Sequence, residues 1–497
     1  MLRCLLAVLL AWVSTVASPA QLAGRRPNLI VILTDDQGYG DLSAHGNPVL
    51  QTPYLDRLHR EGARFTDFHV SPTCAPTRAA LWTGRHEFRS GVSHTILERE
   101  RLALEAVTLA DVLRRAGYAT GIFGKWHLGD EKRHRPDRRG FEEILIHGGG
   151  GIGQTYPGSC GDVSGNAYQD PVLLHNRRFE KTSGYCTDVY FSRAMAWMDR
   201  VRPRRPFLAY ISCNAPHVPW QVRAEDAARY EGRVKPPLEK FMGMVANIDD
   251  NVGRLLDWLE ARGLERETLV IFMTDNGADG GSMVFNAGMR GKKGTAYLGG
   301  TRAVSLWRWS GMIKPGDRRG LTAHLDVFPT LVELTGARVS RRVREGWDGR
   351  SLVPLLERDG ADWPERTLFT HVGRWPKGTP PEHWKYKACS VRESRWQMVS
   401  ADGGREPRWQ LFDVGTDPGQ QRDVSASQPE VVARLAARYE VWWADVRVGL
   451  VNEDVPLAET NPFKVEAWRQ FGGGPTEEDR RLMDVRFNPA TAPGPAR

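Results

Sequence analysis

A short segment around Cys74 combines a thiol, a proline and an arginine at a spacing that could do chemistry. Cys74 stands two residues before Pro76 and four before Arg78. Pro76 suits the first turn of a helix, and Gly84 suits a helix end. The pattern predicts a helix whose N-terminus points free backbone N–H groups at an anion, with Arg78 facing the same anion one turn later. The thiol alone is also compatible with a buried cysteine, half of a disulfide or a metal ligand.

Four apolar runs elsewhere in the chain each end in polar groups. The alternation of these runs with helix signals predicts an α/β fold, a mostly parallel sheet with helices on both faces. In open parallel sheets, ligands bind just beyond the carboxyl ends of the strands. One such ending alone could be a turn, but four together predict one site. The endings are Asp35-Asp36 after 27–34, Lys125 and His127 after 118–123, His217 after 206–211, and Asp275-Asn276 after 269–274.

Four of these residues, Asp35, Asp36, Asp275 and Asn276, supply only oxygen ligands. Oxygen donors suit a hard divalent cation, Ca²⁺ or Mg²⁺, rather than zinc or copper. A zinc hydrolase would place more histidines at the metal. The residues alone do not separate calcium from magnesium.

Composition and charge exclude several classes of protein. The 497 residues, 41% apolar and 26% charged, are typical of a soluble globular protein of about two domains. The net charge of +8 comes from scattered arginines and lysines that accompany no nucleic-acid recognition motif. We therefore predict no nucleic-acid partner.

The first residues predict export. Residues 1–20 have the pattern of a secretory signal peptide, in which Arg3 precedes an apolar core and small residues. No other stretch is long and apolar enough to span a bilayer, so we expect a periplasmic or secreted protein with no integral membrane segment after signal removal. Export permits disulfides, and Cys160 with Cys186 is the first pair to test.

The sequence pattern changes near residue 340, where tryptophan-rich, strand-like segments replace the alternation of strands and helices. We predict an α/β catalytic domain over 25–340. A C-terminal part over 341–470 should contain a smaller antiparallel sheet and a helix near 429–446. Glycine, proline and charge dominate residues 471–497, which predicts a flexible tail.

The segment C-x-P-x-R at 74–78, with its T-G-R continuation, closely resembles the signature of type I sulfatases, arylsulfatase-like members of the alkaline phosphatase superfamily. Three more segments resemble motifs of that family: G-K-W-H-x-G at 124–129, N-x-P-H at 214–217 and G-x-K-G-T at 291–295. In the family the cysteine is converted to the aldehyde formylglycine, so the resemblance implies that a formylglycine-generating enzyme acts on Cys74. Leu298 departs from the family pattern, which has an acid at this point.

The resemblance also implies a ligand set and a mechanism. Calcium would be bound by Asp35, Asp36, Asp275, Asn276 and an oxygen of residue 74. The implied catalytic residues are Cys74, Arg78, Lys125, His127, His217 and Lys293. One oxygen of the hydrated aldehyde attacks sulfur, while Arg78 and Lys293 spread the charge of the sulfuryl group. His217, with Lys293, protonates the departing alcohol, and His127 removes the proton that lets sulfate leave.

The expected function is hydrolysis of sulfate monoesters of small molecules or glycans. The alternatives are a phosphate or phosphonate monoester hydrolase of the same superfamily and a non-catalytic binding protein on this fold. A cysteine phosphatase would need C-x5-R, but position 80 is Ala80. His371, Arg374 and Trp375 lie in a Pro- and Gly-rich segment that could rim the pocket and stack on a sugar, which favours a sulfated glycan over a simple aryl sulfate.

Overall fold

The structure is a computed structural model that describes residues 21–156, 160–358, 360–458, 460–477 and 479–480. The predicted signal peptide, residues 1–20, lies outside these ranges, as do residues 481–497 of the predicted tail. Within these ranges, no helix has both the length and the apolar character that a membrane span requires.

The strands form three sheets. In chain order they are β1 (Asn28–Thr34), β2 (Ala63–Phe65), β3 (Phe68–His69), β4 (Ala119–Lys125), β5 (Glu143–His147), β6 (Val172–His175), β7 (Arg178–Lys181), β8 (Phe207–Ser212), β9 (Thr268–Thr274), β10 (Ser305–Arg308), β11 (Gly316–Arg318), β12 (Thr322–Ala323), β13 (Leu368–His371), β14 (Lys387–Arg392), β15 (Trp396–Asp402) and β16 (Gln410–Asp413).

The helices are interspersed with these strands. They are α1 (Pro53–Glu61), α2 (Cys74–Thr83), α3 (Leu109–Arg115), α4 (Cys186–Val201), α5 (Ala224–Ala228), α6 (Leu238–Ala261), α7 (Leu298–Thr301), α8 (Val327–Thr335), α9 (Arg341–Glu345), α10 (Val353–Glu357), α11 (Pro429–Val446) and α12 (Pro462–Phe471).

The largest sheet has ten strands in the order β11-β2-β10-β9-β1-β8-β4-β5-β6-β7. The central strands β9, β1, β8, β4 and β5 are parallel, and antiparallel pairs occur toward both edges. The predicted α/β fold with a mostly parallel sheet is therefore confirmed. Because β9, β1, β8 and β4 are direct neighbours, their carboxyl ends lie side by side.

The side chains of β1 show why helices cover both faces of this sheet. Leu29, Val31 and Leu33 pack in one core cluster with residues of α2, α3 and α8. Ile30 and Ile32 point the other way and pack with residues of α1, α4 and α6. A strand buried on both faces reads as an unbroken apolar run rather than an alternating one.

Helix α2 carries Cys74 as its first residue, and every residue of the helix is buried. Pro76 lies in the first turn, where the missing N–H is not needed. Gly84 ends the helix in the left-handed region, with φ of 66°, and its N–H donates to the carbonyl oxygen of Ala80. The predicted helix is present, and it fixes the thiol at its N-terminal end.

The C-terminal strands β13 to β16 form an antiparallel sheet, and α11 packs in the same core cluster as their inward side chains. This confirms the smaller sheet with its helix. Phe88, which follows α2, joins this cluster, with ring centroids 5.8 Å from Trp375 and 6.3 Å from Trp443. The C-terminal part thus packs directly on the segment that follows the Cys74 helix. The domain boundary near residue 340 stays a prediction.

Cys160 and Cys186, the first pair to test for a disulfide, are not cross-linked in the structure. Both are buried free thiols, as are Cys74, Cys213 and Cys389. The Cys160 thiol donates to the carbonyl oxygen of Thr95 at 3.5 Å, whereas Cys186 begins α4 and packs in the second core cluster. Burial in separate surroundings, rather than a cross-link, accommodates both thiols.

Candidate active site

The four polar strand endings meet at one edge of the central sheet, as the strand order requires. The pair Asp35-Asp36 follows β1, and Asp275-Asn276 follows the neighbouring β9. On the other side of β1, His217 follows β8, and Lys125 is the last residue of the next strand, β4. The sheet therefore brings together residues such as Asp36 and Asn276, which lie 240 positions apart in the chain.

Asp35 and Lys125 form a buried ion pair across this edge. The Lys125 Nζ lies 2.5 Å from Asp35 Oδ2, and neither side chain is exposed to solvent. Burial alone would raise the pKa of the Asp35 carboxyl, but the positive charges of Lys125, His217 and Arg78 hold it well below its usual range. Asp35 is therefore ionised, which is the state that binds a cation.

Asp36 is the most connected acid of the site. Its Oδ2 accepts from Lys293 Nζ at 2.6 Å, and its Oδ1 accepts from Asn276 Nδ2 at 2.9 Å. Its own backbone N–H donates to Asp275 Oδ1 at 3.2 Å, and its backbone is left-handed, with φ of 67°. Burial opposes ionisation, but Lys293 and His217 lower the pKa of the carboxyl. The strained backbone turns this side chain into the site.

Arg78 reaches from α2 to the strand ends. Its Nη2 donates to Asp275 Oδ2 at 2.9 Å, and its Nη1 donates to Ser212 Oγ and, at 3.2 Å, to the Tyr210 hydroxyl. Burial, followed by the charge of Asp35, raises the pKa of the Asp275 carboxyl to about 7. The guanidinium is wholly buried and stays charged, since burial is outweighed by Tyr210 and Asp275, which raise its pKa.

His127 is held as one neutral tautomer. Its Nε2 lies 2.7 Å from the carbonyl oxygen of Thr95, which can only accept, so the proton is on Nε2. Burial, then the charge of Lys125, lowers the pKa of the ring well below its usual value. The Nδ1 atom is buried and has no partner among the described residues, so its lone pair is free to take a proton. Gly150 packs closely against the ring of His127. A Cβ at this position would fall 2.8 Å from the ring atoms.

His217 faces the acids with its other nitrogen. Its Nδ1 donates to the carbonyl oxygen of Val218 at 2.6 Å, and its Nε2 lies 3.7 Å from Asp36 Oδ2. Ligand atoms of Asp35, Asp36 and His217 all lie within 4.8 Å of one another. His217 thus joins the group that could hold a metal, which the oxygen-only set did not include.

A divalent cation fits these residues. Asp35 Oδ1 and Asn276 Oδ1 are buried oxygens that accept no hydrogen bond from the described residues. Leaving such oxygens unpaired is costly, and a cation would satisfy both. Asp36 contacts Asn276 through its Oδ1 and Asp275 through its backbone N–H. The structure therefore joins Asp36 to Asp275 and Asn276 by hydrogen bonds, whereas the closest group of ligand atoms consists of Asp35, Asp36 and His217.

Cys74 lies at a cavity of about 310 Å³, 2% exposed. Burial raises the pKa of its thiol, although Lys125 and Lys293 oppose this shift. An unmodified thiol would therefore remain protonated and be a poor nucleophile. The cavity is lined by Cys74, His94, Thr95, Ile96, His127, Gly150, Gln154, Tyr156, His217, Val218, Asp279, Lys293 and Arg374.

A family model described as Sulfatase matches residues 27–337. The chain belongs to the sulfatase family. It is 37% identical over 458 residues to arylsulfatase A of Homo sapiens, a match that covers 83% of this chain and 86% of that protein. The crystal structure of Ps i-CgsB in complex with k-i-k-neocarrahexaose matches with a TM-score of 0.74 and 26% identity, over 92% of this chain and 99% of that chain.

A phosphonate monoester hydrolase of Agrobacterium radiobacter shares the fold, with a TM-score of 0.59 and 20% identity over 86% of this chain and 97% of that chain. The protein is thus an arylsulfatase-like hydrolase with an alkaline phosphatase-like fold, as the sequence resemblance implied.

Several residues that line the cavity of this sulfatase were not predicted from the sequence: His94, Thr95, Gln154, Tyr156 and Asp279. They lie in loops that match no motif.

The predicted sugar-stacking rim is wrong for two of its three residues. His371 and Trp375 are 0% and 2% exposed in the C-terminal aromatic core, where they pack with Trp443. Arg374, between them, lines the cavity.

Proposed function

We propose that this sulfatase hydrolyses sulfate monoesters with an aldehyde at position 74, the formylglycine that a formylglycine-generating enzyme makes from Cys74. The observation that carries the proposal is the convergence, around the first residue of α2, of four oxygen ligands with Arg78, Lys125 and Lys293. The raised pKa of the thiol supports chemical conversion of the side chain over direct use of a thiolate. When hydrated, the aldehyde supplies an oxygen nucleophile and a second hydroxyl.

The residues of the chain then have distinct tasks. Arg78 and Lys293 are fixed donors that neutralise the charge of the sulfuryl oxygens. Lys293 keeps its proton because Asp36 outweighs burial and raises the pKa of the ammonium group. Lys293 and His217 line the cavity together, and the proton for the departing alcohol would come from the Lys293 ammonium or from Nε2–H of His217 in its doubly protonated form, whose Nδ1–H stays on Val218. His127, with its free Nδ1, would remove the proton that lets sulfate leave.

We assign the cation to calcium, held by Asp35, Asp36, Asp275 and Asn276 with residue 74. Calcium accepts many oxygen ligands in flexible geometry, which suits three carboxylates and an amide better than the strict octahedron of magnesium. A bound cation would supply positive charge at the sulfuryl group. The described chain offers one histidine here, fewer than a zinc hydrolase would use.

We propose that the substrates are sulfated glycans rather than simple aryl sulfates, and that the protein is exported to the periplasm or beyond the cell. Export rests on the signal pattern of residues 1–20. The glycan assignment is supported by the complex of the related Ps i-CgsB with k-i-k-neocarrahexaose.

The rates on two esters test the group that is transferred. With purified exported protein, we expect a higher kcat/KM for 4-nitrophenyl sulfate than for 4-nitrophenyl phosphate, because the leaving group is the same and the chain belongs to the sulfatase family. A panel of sulfated saccharides measured beside them tests the glycan assignment. Faster hydrolysis of the phosphate would instead support the phosphate or phosphonate hydrolase, and turnover of neither ester or sugar would support a binding protein.

Removal and return of the metal tests the cation. After treatment with a chelator we expect lower thermal stability and no turnover, and calcium at 100 times its Kd should raise the free energy of unfolding by about 2.7 kcal/mol. The Asn276→Ala variant, which removes an unpaired buried oxygen without removing a charge, should lose most of this increase. Gln51→Ala, which removes an exposed amide that makes no side-chain hydrogen bond with the described residues, is the control. A larger increase with Mg²⁺ or Zn²⁺, or an undiminished one in Asn276→Ala, would contradict the assignment.

A further inference from the structure

Arg374 is a cation of the catalytic cavity that the reaction scheme does not use. It lines the same cavity as Cys74 and Lys293. Its Nη2 donates to Thr95 Oγ1 at 3.0 Å, and no carboxylate of the described residues lies within ion-pairing distance of it. Arg99, four residues after Thr95, is by contrast paired with Glu453 at 3.0 Å. An unpaired guanidinium at a substrate cavity is available to an anion.

The backbone of Arg374 is held in an uncommon conformation. Arg374 has φ of 58°, in the left-handed region, and its N–H donates to the carbonyl oxygen of Ser93 at 3.2 Å. The preceding Gly373 also has positive φ, and a Cβ there would fall 1.9 Å from the same carbonyl oxygen. A non-glycine residue with positive φ persists only where its surroundings fix it. The contacts of Gly373 and Arg374 with the carbonyl oxygen of Ser93 therefore fix the position of the Arg374 backbone.

His94 adds a neutral donor to the same wall. Its Nδ1 lies 2.8 Å from the N–H of Thr95 and 3.1 Å from the N–H of Ile96, so it accepts from both. The ring proton is consequently on Nε2, for which no described residue is an acceptor. Since His94 also lines the cavity, the wall presents a cation and a neutral N–H donor side by side.

Among the described residues that line the cavity, the two other charged ones, Lys293 and Asp279, contact the metal-site segment. Lys293 is engaged by Asp36 at 2.6 Å. The carboxylate among the described lining residues is that of Asp279, whose backbone N–H donates to the carbonyl oxygen of Asp36. Asp279 thus contacts the segment that contains Asp36, whereas Arg374 contacts Ser93 and Thr95.

We propose that Arg374 and His94 form a second anion subsite, and that the preferred substrate carries, beside the scissile sulfate ester, a second anionic group, either a carboxylate or another sulfate. This proposal rests on the proposed function, because it concerns the substrate of the same cavity. Arg374 supplies the charge and His94 a directional hydrogen bond, while the chemistry at residue 74 is unchanged. Monosulfated neutral sugars would then bind more weakly than dianionic ones.

Variants of Arg374 test the subsite. We compare a monosulfated neutral hexose with a disulfated hexose and a sulfated hexuronate, which separate the two sources of charge. In Arg374→Gln, the KM of at least one dianionic sugar should rise on the order of 10-fold, a typical effect for loss of a charged hydrogen bond. Its kcat and the KM of the monosulfated sugar should change less than about 2-fold. Arg374→Lys should recover part of the loss, and Arg344→Gln, an exposed arginine outside the cavity, should match the unmodified sequence.

Salt and binding measurements separate this proposal from the proposed function. The KM of the dianionic sugar should rise with salt concentration in the unmodified sequence and less steeply in Arg374→Gln. If no sulfate ester is hydrolysed at all, the proposed function fails, but calorimetric binding of the same sugars to Cys74→Ala, with and without Arg374→Gln, still tests the subsite. Equal effects of Arg374→Gln on monosulfated and dianionic sugars, or none on either, would overturn it.

Discussion

Replacement of Cys74 by serine should abolish steady turnover of sulfate esters, with a loss of kcat on the order of 10⁴-fold or more. In the proposed mechanism the hydrated aldehyde has a second hydroxyl, whose deprotonation by His127 would let sulfate leave. Serine has one hydroxyl, so the variant would stop, at most, as a sulfated serine after a single turnover. Pre-steady-state product formation from an aryl sulfate, with mass analysis of the peptide containing residue 74, measures both outcomes.

The control for this variant is Cys213→Ser, which changes another fully buried free thiol, one that does not line the cavity. It should keep its turnover if the protein folds, and circular dichroism checks folding in both variants. The same mass analysis on the unmodified sequence should show an aldehyde in place of the thiol. Sustained turnover by Cys74→Ser, or full activity with an intact thiol, would refute the aldehyde mechanism.

Replacement of Arg78 by methionine should lower kcat by about 10³-fold, since one fixed donor to developing charge contributes about this much. It should also destabilise the protein by about 3–5 kcal/mol, because it leaves Asp275 buried without the partner that lies 2.9 Å away. Arg78→Lys keeps the charge but loses the forked contacts to Ser212 and Tyr210, so its losses should be smaller. Aryl sulfate kinetics and urea denaturation measure the two effects.

A surface arginine provides the comparison. Arg341 pairs with Glu345 at 2.6 Å, but both side chains are largely exposed. Arg341→Met should therefore change the free energy of unfolding by less than about 1 kcal/mol and leave kcat unchanged. If Arg78→Met and Arg341→Met unfold at the same urea concentration, Arg78 does not have the structural role that its contacts indicate. Unchanged turnover in Arg78→Met would remove it from the catalytic scheme.

The core of the site could be predicted because its signals are local. An unbroken apolar run such as 27–34 indicates a doubly buried strand, and the polar residues that follow it must lie at a sheet edge. Helix signals at Pro76 and Gly84 placed Cys74 at a helix N-terminus, as observed. The family resemblance then suggested a role for each residue, which spacing alone could not do.

The rest of the site depends on tertiary contacts that no local pattern records. The strands β5 to β7 and helix α4 lie in a stretch for which no motif or strand ending predicted an element. Trp375 and Arg374 are adjacent in a segment rich in glycine and proline, yet one side chain enters the aromatic core and the other the cavity. The backbone between them is held by the close approach of Gly373 to the carbonyl oxygen of Ser93, a tertiary contact that no local pattern predicts.

The burial of the C-x-P-x-R segment has a consequence for the order of events in the life of the chain. Cys74, Pro76 and Arg78 lie beneath the finished fold, and a second enzyme would find no part of this recognition sequence on the surface. The proposed conversion of Cys74 would therefore have to happen before the sheet closes over this segment. A chain that folds too soon would be well packed, stable and permanently inert.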